Sequence, residues 1–542
     1  MNVLLLSLFD EWCLGLRSIS SVFRKAGHRV TMAHLRGMPE LNGDAGKDDA
    51  RGYHVPPASV TGADFDALCA LAARTQPRII GVSVSFSNLY GLAAETTRRL
   101  RASAPEALII WGGADATANP DLAAEHADIV CIGEGEEAVA ELLDRLSYAN
   151  SGQRVRHQAA WTDVANLWVR HDGGLVKNSV RPLARDLDAL PWPDFDGDGK
   201  YWISGGAARH KDLPPGSHLL HNHPVMATRG CPYSCSFCCN SLYREIYGSR
   251  DYVRHRSVRN VIGEICEHLR TRPHIQSIEF HDDVFGLRRE WLEDFAQLYP
   301  ARVGLPFFCY TYPSVCGPEF VALIKKAGAG VVAMGLQSGS ERVLRDIYGR
   351  SGSRDKVIRA CSLLQQAGIP LVLDLIGSNP FETEEDRMAT LKLLLDLPPG
   401  SFITHETNQL AFYRNYPISR MAGQRHCLNP WLPGRNLTLA EQTDEYRFWN
   451  ALYQLPQFPA FGRDVVLKMA ADDTMRQHPE IVESVVAALV EATFLPGTRM
   501  YRHDHAVKLA GELSRLKGSR AVQFYLRLKK LLGKSRSLPI TT

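Results

Sequence analysis

The sequence has little net charge and no long hydrophobic run, and each absence excludes a class of protein. Its 62 basic residues exceed its 59 acidic residues by three, whereas a dedicated nucleic-acid-binding protein normally carries a strong basic excess. No stretch approaches the roughly 18 uninterrupted apolar residues of a membrane span. The apolar start, residues 1–9, lacks a basic leader and runs directly into Asp10 and Glu11. It therefore predicts a core strand rather than a signal peptide.

Cysteine is also sparse, with 12 in 542 residues, which indicates a reducing cytoplasmic compartment rather than a disulfide framework. Three of them, Cys231, Cys235 and Cys238, stand together with three and two intervening residues. Iron–sulfur clusters are normally held by four cysteines, so a tight group of three predicts that a substrate or cofactor supplies the fourth ligand. A structural zinc site would need Cys239 as its fourth ligand, and the adjacency of Cys239 to Cys238 gives poor chelate geometry. Buried core thiols are the remaining alternative, and we assign Cys69, Cys131, Cys266 and Cys361 to that class.

Two stretches of the chain alternate short apolar runs with helical patterns. In the first, strands are predicted at 3–8, 28–33, 78–85, 107–111 and 129–132, with helices at 14–26, 90–101 and 136–146. This alternation is typical of a doubly wound parallel sheet, which binds ligands at the carboxyl ends of its strands. In the second, strands are predicted at 224–228, 277–280, 306–311, 331–336 and 371–376. A partial parallel β/α barrel is their natural closure, again with functional groups at the strand carboxyl ends.

The remaining residues connect or follow these two regions. Residues 151–222 are rich in glycine and proline turns and predict a connecting segment. Beyond residue 397, helices are predicted at 407–416, 439–455, 480–493 and 506–532. The predicted organisation is an α/β domain over 1–150, a connecting segment over 151–222, a partial barrel over 223–397 and a mostly helical region over 398–542.

The cysteine spacing resembles the CxxxCxxC signature of the radical S-adenosylmethionine (SAM) superfamily. The resemblance implies a [4Fe–4S] cluster bound by the three cysteines, with SAM on the open iron. It further implies a contact of the Phe237 backbone with adenine, a polar contact from Asp282 or Asp283 after the second barrel strand, and contacts to ribose and methionine from Gln337, Ser338 and Ser340. Taken alone, the aspartates are equally consistent with a helix N-cap, and residues 335–341 with a turn before a capped helix.

The loops after the first-domain strands resemble the cobalamin-binding domain, whose pattern is DxHxxG, then SxL, then GG. The matching residues are Asp10, Trp12, Gly15, Ser83, Ser85, Gly112 and Gly113, followed by Gly133, Glu134 and Gly135 in a GEGE segment. Trp12 stands where the family has its cobalt-ligating histidine, and Ser85 replaces the leucine. The resemblance then implies a cobalamin whose lower face is free or covered by a group that does not coordinate it. Trp12 is the candidate for that neighbour, and hydrophobic packing against the sheet is the alternative.

Together the two resemblances imply a cobalamin-dependent radical SAM enzyme. The expected reaction is hydrogen abstraction by a 5′-deoxyadenosyl radical, followed by methylation of a carbon, or of phosphorus, in a small molecule. The competing hypothesis is a net oxidation, cyclisation or ring contraction without methyl transfer. A cobalamin-sensing regulator would leave the cysteine triad without a role. No general base can be chosen from the sequence.

The expected partners follow from the same resemblance. They are a small-molecule substrate and an electron donor such as flavodoxin or ferredoxin, with no nucleic acid, and we expect a monomer. Residues 413–416 are candidates for the border of the barrel mouth, against the alternative that the C-terminal helices only close the barrel. A basic tail follows Glu512. A solvated basic face is favoured over a membrane contact there.

Overall fold

The structure is a computed structural model that describes residues 1–35, 60–148, 161–211, 213, 217–248, 252–404, 407–425, 437–439, 443–458 and 461–493. The chain divides into two compact units. Unit 1 comprises residues 1–310, 323–330 and 412–438, and unit 2 comprises residues 311–322, 331–411 and 439–542.

The first part of unit 1 is built on a nine-stranded sheet. Its strands are β1 (Asn2–Leu8), β2 (Arg29–Leu35), β3 (Ile79–Ser83), β4 (Leu108–Gly112), β5 (Ile129–Cys131), β6 (Leu167–His171), β7 (Gly174–Lys177), β8 (Lys200–Ser204) and β9 (Ala207–His210). They lie in the order β7-β6-β5-β4-β3-β1-β2-β8-β9. The six central strands are parallel, and β6, β7 and β9 are antiparallel additions at the two edges. Residues of the predicted connecting segment therefore form four strands of this sheet.

Helices cover both faces of the first sheet. They are α1 (Leu14–Lys25), α2 (Gly62–Thr75), α3 (Tyr90–Ser103), α4 (Ala114–Ala118), α5 (Pro120–Ala123) and α6 (Glu136–Tyr148). Alternate residues of β1 enter different cores, with Leu4 and Leu6 on one face and Val3 and Leu5 on the other. This burial on both faces explains why the strand reads as a continuous apolar run. The prediction of a doubly wound sheet is confirmed. Helix α2 had no counterpart among the predicted elements, although the Thr61–Asp64 capping box marks its start.

Unit 1 continues with the first strands of the second α/β region. These are β10 (Asn222–Val225), β11 (Thr228–Arg229), β12 (Arg254–His255), β13 (Ser277–Phe280) and β14 (Phe307–Thr311), with helices α7 (Cys239–Tyr247), α8 (Val258–Thr271) and α9 (Arg289–Arg302). β10, β13 and β14 are parallel neighbours, and β11 pairs with β12 in an antiparallel ribbon. The first cluster cysteine, Cys231, follows β11 after one glycine.

The remaining elements complete the strand-and-helix alternation and the C-terminal region. The strands are β15 (Ala329–Gln337), β16 (Leu371–Gly377), β17 (Ile403–Thr404), β18 (Asn408–Gln409), β19 (Ala411–Tyr413) and β20 (Leu437–Leu439). The helices are α10 (Pro318–Ala327), α11 (Arg354–Ala367), α12 (Glu384–Asp396), α13 (Pro417–Gln424), α14 (Asp444–Leu452), α15 (Arg463–Ala470), α16 (Asp473–Gln477) and α17 (Pro479–Thr493). β16 pairs in parallel with β15, β17 and β18, so the prediction of a partial parallel β/α barrel is confirmed.

The C-terminal prediction is corrected at one segment. Residues 407–416 form the short strands β18 and β19 rather than a helix, because β18 adds its backbone hydrogen bonds to the end of β16. The helix predicted at 480–493 is confirmed as α17. The helix predicted at 506–532, with its basic face, lies outside the described residues. Within the described part of the chain, no helix is long and apolar enough to cross a membrane.

Candidate functional site

The three clustered cysteines lie on one compact loop between β11 and α7. Gly230, just before Cys231, has a φ of 87°, and a Cβ there would lie 2.5 Å from the Tyr252 carbonyl oxygen, so the approach to the loop requires glycine. At its other end, the Cys238 N–H donates to the Cys235 carbonyl at 3.0 Å. Arg244 of α7 reaches back to donate to the Cys231 carbonyl at 3.1 Å. The loop is therefore held at both ends by its own backbone and by the helix it starts.

The pKa values of two thiols in this loop are shifted in opposite directions. Burial raises the pKa of Cys231 to about 12, and the Asp283 charge adds to the effect. A hydrogen bond from the Cys239 thiol lowers the pKa of Cys238.

The two aspartates after β13 have different surroundings. Asp282 is 1% exposed, and its carboxylate accepts from the Ala227 N–H at 3.1 Å, which ties β13 to the end of β10. Burial raises its pKa to about 7. Asp283 has exposed surface although it lies deep in the fold, because that surface faces a cavity. Neither aspartate caps a helix, since α9 begins later, after Arg288.

That cavity has a volume of about 500 Å³ and lies within unit 1. Ten of its lining residues come from the strand-end loops: Asp10, Gly15, Ser83, Ser85, Gly112, Gly113, Gly133, Glu134, Gly135 and Glu136. Other lining residues lie in or next to the cysteine loop and in the elements around it: Thr228, Arg229, Gly230, Cys239, Asn240 and Asp283. The structure thus brings all of the predicted cobalamin-loop residues except Trp12 to one cavity, together with the surroundings of the predicted cluster.

Close packing requires glycine at two positions that line this cavity. Gly113 has a φ of 105°, and a Cβ there would lie 2.7 Å from the Val84 carbonyl oxygen. A Cβ at Gly81 would lie 2.7 Å from Leu5 Cδ2. Both residues therefore present only backbone to the cavity.

The turn after β1 is held by Asp10. Its carboxylate accepts from the backbone N–H groups of Trp12 and Cys13 at 3.1 and 2.8 Å. Burial raises the pKa of Asp10.

The Trp12 side chain packs against residues that do not line the cavity. Its ring packs edge-on against His281, with centroids 4.1 Å apart, and it lies beside the apolar group Phe195, Trp202 and Leu219. It is not among the described residues that line the cavity. The packing alternative therefore describes its contacts, and its place below a corrin ring stays a prediction.

The GEGE segment is joined to the β11–β12 ribbon by ion pairs that the sequence did not indicate. Arg254 donates to Glu134 at 2.5 Å, and Arg229 donates to Glu136 at 2.5 Å. Although burial acts to raise it, the Arg229 charge holds the pKa of Glu136 below its usual value. Arg229 and Arg254 are direct partners in the ribbon register, so both guanidinium groups reach the same loop. Tyr247 of α7 completes the contact by accepting from the Glu134 N–H at 2.9 Å.

In unit 2, the loop after β15 is bound tightly to α12. Gln337 has a φ of 68° beside a β-bulge. The Ser340 hydroxyl donates to Asp386 at 2.5 Å and accepts from the Val343 N–H at 3.3 Å, so Ser340 caps the following helical turn. The Ser338 hydroxyl contacts Glu382 at 3.3 Å, and burial raises the pKa of Glu382 to about 8. The predicted SAM contacts of Gln337, Ser338 and Ser340 stay predictions, as does that of the half-buried Phe237.

A second group of potential metal ligands, His223, Glu264 and His268, lies buried between β10 and α8 with its ligand atoms within 4.8 Å. Arg272 donates to His223 Nδ1 at 2.5 Å. Burial keeps the pKa of His223 well below its usual value, so the neutral ring must carry its proton on Nε2. That tautomer cannot bind a metal through Nε2. Glu264 is also paired with Arg256 at 2.5 Å, so the group is a polar element of the core.

Comparison with known families decides the identity of the two regions. A model of the Radical SAM superfamily matches residues 225–394, and a model of the B12 binding domain matches residues 4–143. The matches cover the cysteine loop and every strand-end loop of the cavity.

The chain is a cobalamin-dependent radical SAM enzyme. It uses a [4Fe–4S] cluster, SAM and cobalamin. Three cysteines on one loop, and a cavity lined by the glycines of the strand-end loops, fit these groups.

Three curated relatives are similar to this enzyme over about two thirds of its length. An uncharacterized methyltransferase of Pyrococcus horikoshii is 27% identical over 348 residues, which are 62% of this chain and 69% of the relative. The cytidylyl-2-hydroxyethylphosphonate methyltransferase of Streptomyces wedmorensis is 25% identical over 62% of each chain. The anaerobic magnesium-protoporphyrin IX monomethyl ester cyclase of Cereibacter sphaeroides is 25% identical over 64% of this chain and 54% of the relative.

Two solved structures share the fold of this enzyme. The cobalamin-dependent SAM radical enzyme OxsB, with aqua-cobalamin and SAM bound, has a TM-score of 0.61 at 15% identity and covers 95% of this chain and 75% of its own. The radical SAM methyltransferase TsrM of Kitasatospora setae, with a tryptophan substrate and a SAM analogue bound, has a TM-score of 0.57 at 17% identity over 78% and 76% of the two chains.

Proposed function

We propose that this enzyme transfers a methyl group to a carbon, or to phosphorus, of a small molecule. The observation that carries the proposal is the shared cavity, whose lining includes both the predicted cobalamin loops and Cys239, Asn240 and Asp283. The similarity to two methyltransferases supports the same reaction class. When bound, the cluster with SAM supplies a hydrogen-abstracting radical and cobalamin supplies a methyl carrier, so the protein contributes positioning and exclusion of water.

The cysteine loop and Asp283 would hold the cluster and SAM. Cys231, Cys235 and Cys238 provide the three thiolates. Asp283 is placed to accept from the SAM amino group, because it faces the cavity while Asp282 is committed to the Ala227 N–H. Burial raises the pKa of Asp283, and a cationic amino group beside it would restore the carboxylate. The SAM contacts of Phe237, Gln337, Ser338 and Ser340 are part of the proposal only because the family resemblance implies them.

The strand-end loops would hold cobalamin. Gly112 and Gly113 would allow the backbone to approach the corrin closely, whereas Gly133 makes room for the Tyr247 hydroxyl. Apolar side chains also line the cavity and would pack against the base of the nucleotide tail: Leu5, Phe23, Ile79, Ile110 and Val139. Asp10 orders the loop on which Gly15 lies through its bonds to two backbone N–H groups.

The experiment is anaerobic turnover with methyl-deuterated SAM, a reductant or flavodoxin as the electron donor, and substrates suggested by neighbouring genes. Methyl transfer predicts a product three mass units heavier than the one made from unlabelled SAM, with S-adenosylhomocysteine and 5′-deoxyadenosine both released. The similarity to a cyclase favours a second candidate, an oxidation or cyclisation. That reaction would give 5′-deoxyadenosine without S-adenosylhomocysteine and an unlabelled product.

A further inference from the structure

Residues 413–424, here called the clasp, contact both α4, which follows the Gly112–Gly113 loop, and the cysteine loop, although they lie far beyond either of them in sequence. The clasp consists of the end of β19, a turn and α13. It belongs to unit 1 with the first sheet and the cysteine loop. Three hydrogen bonds and one ion pair connect it to those two regions.

One end of the clasp binds α4, the short helix that follows the Gly112–Gly113 loop. The Asn415 side-chain amide donates to the Ala118 carbonyl at 2.6 Å and to the Asn119 side-chain oxygen at 3.1 Å. Ala118 ends α4, so its carbonyl has no partner within the helix. Asn119 is itself held, because its amide donates to the buried Asp115 carboxylate at 2.8 Å. Asn415 therefore caps the helix whose start carries a cobalamin loop.

The other end binds the cysteine loop. The Ile418 N–H donates at 3.1 Å to the carbonyl of Ser236, which lies between Cys235 and Cys238. Ile418 is in the first turn of α13, where N–H groups have no partner within the helix. Arg420 pairs with Glu245 of α7 at 2.6 Å and also donates to the Asn415 carbonyl at 3.0 Å. Ile418 and Ala422 are fully buried, which anchors the helix.

The clasp thus makes hydrogen bonds both to α4, after the Gly112–Gly113 loop, and to the cysteine loop. We propose that Asn415 and the Ile418 N–H are positioning groups that fix the spacing between the Gly112–Gly113 loop and the cysteine loop. The spacing matters because a substrate must reach both cofactors from one cavity. This inference rests on the proposed function only for its consequence in catalysis.

The test compares Asn415→Ala with Asn178→Ala. Asn415 is an exposed residue, so its truncation leaves the core intact. Asn178 is the matched control, because its amide also donates to two groups, the Thr162 and Leu167 carbonyls at 2.9 and 2.6 Å, and it does not line the cavity. Asn415→Asp is a second variant, since a carboxylate cannot donate to the Ala118 carbonyl.

Two measurements are made on the full-length enzyme. Hydrogen–deuterium exchange without added cofactors should accelerate about tenfold in peptides covering both 114–119 and 231–238 in the Asn415 variants, and in neither peptide in N178A. Pulsed EPR of the reconstituted enzyme measures the dipolar coupling between cob(II)alamin and the reduced cluster. Its distance distribution should broaden about twofold in N415A and stay narrow in N178A, because one hydrogen-bonded end of the link is lost.

The outcomes separate the clasp from the proposed function. Faster exchange at 114–119 alone would show that Asn415 only caps α4, and equal effects in N178A would show that the change is not specific to the clasp. Either result would contradict the proposed positioning role. A wild-type enzyme without an EPR signal from either cofactor would contradict the proposed function, and the exchange data would still decide the clasp. An unchanged distance distribution in N415A would also overturn it.

Discussion

The Tyr247 hydroxyl occupies the space that a side chain at Gly133 would need. A Cβ on Gly133 would lie 1.8 Å from the hydroxyl oxygen, and Gly133 has a φ of 73°. The same hydroxyl accepts from the Glu134 N–H at 2.9 Å. The helix that starts at the cysteine loop therefore contacts a cobalamin loop directly, and the glycine there serves the contact between the two regions.

Gly133→Ala should weaken cobalamin retention and lower the free energy of unfolding by about 1–2 kcal/mol, because the methyl group is strained at positive φ and displaces Tyr247. Cobalamin absorbance after gel filtration and urea unfolding measure the two effects. Gly62→Ala is the control, since a Cβ at that helical position meets nothing within 4 Å. Cobalamin retention equal to wild type would contradict the prediction.

Arg254→Met should lower the free energy of unfolding of the enzyme by about 1–3 kcal/mol, because it removes the hydrogen-bonded partner of Glu134 in a largely buried pair and leaves only Arg229, at 3.5 Å, beside that carboxylate. The two side chains are 7% and 26% exposed. Urea unfolding measures the change. Arg289→Met breaks a pair whose side chains are 64% and 40% exposed, and it should cost less than about 0.5 kcal/mol. An equal decrease in the free energy of unfolding for the two variants would contradict a stabilising role of the Arg254–Glu134 pair.

Asp283→Asn should weaken SAM binding by at least about tenfold, as expected for the loss of one charge-assisted hydrogen bond. Asp282→Asn should leave SAM affinity within about threefold of wild type, because an amide oxygen can still accept from the Ala227 N–H. Equilibrium dialysis with the cluster-loaded enzyme measures both constants. If Asp282→Asn weakened SAM binding more than Asp283→Asn, the SAM contact would belong to Asp282 instead.

Glu382 should make the enzyme less stable as pH rises. Burial raises its pKa to about 8 from an ordinary 4.5, so the folded state binds the proton more tightly than the unfolded state. The stability that this proton provides is complete below about pH 4.5 and is lost as pH rises to about 8, with a slope of at most about 1.4 kcal/mol for each pH unit. Glu382→Gln should therefore show a smaller fall in the free energy of unfolding between pH 5 and 8. Glu293→Gln, at an exposed position, should keep the wild-type slope.

The sequence was most informative where one residue type alone satisfies a local requirement. The three cysteines and the glycines at 112, 113 and 133 were predictable because thiolate ligands and close backbone approaches allow few substitutes. The strands of both α/β regions were predictable from buried apolar runs. These features place the cavity without any knowledge of tertiary contacts.

Features that depend on contacts between residues far apart in the chain could not be predicted from the sequence. Arg254 meets Glu134 across 120 positions, and no local pattern marks that pairing. Trp12 occupies a motif position, yet its contacts are set by His281 and the apolar group around Phe195. Residues 407–416 read as helical because aromatic residues suit either state, and pairing of β18 with β16 decided for strand.

The most direct test of the account is the iron content and EPR spectrum of four cysteine-to-alanine variants, purified and reconstituted without oxygen. Cys231→Ala, Cys235→Ala and Cys238→Ala should each lose the cluster. Cys239→Ala should keep a [4Fe–4S] cluster whose reduced EPR signal shifts when SAM is added, as in the wild type. A Cys239 variant without iron, or a cluster that survives loss of any of the other three cysteines, would contradict the account.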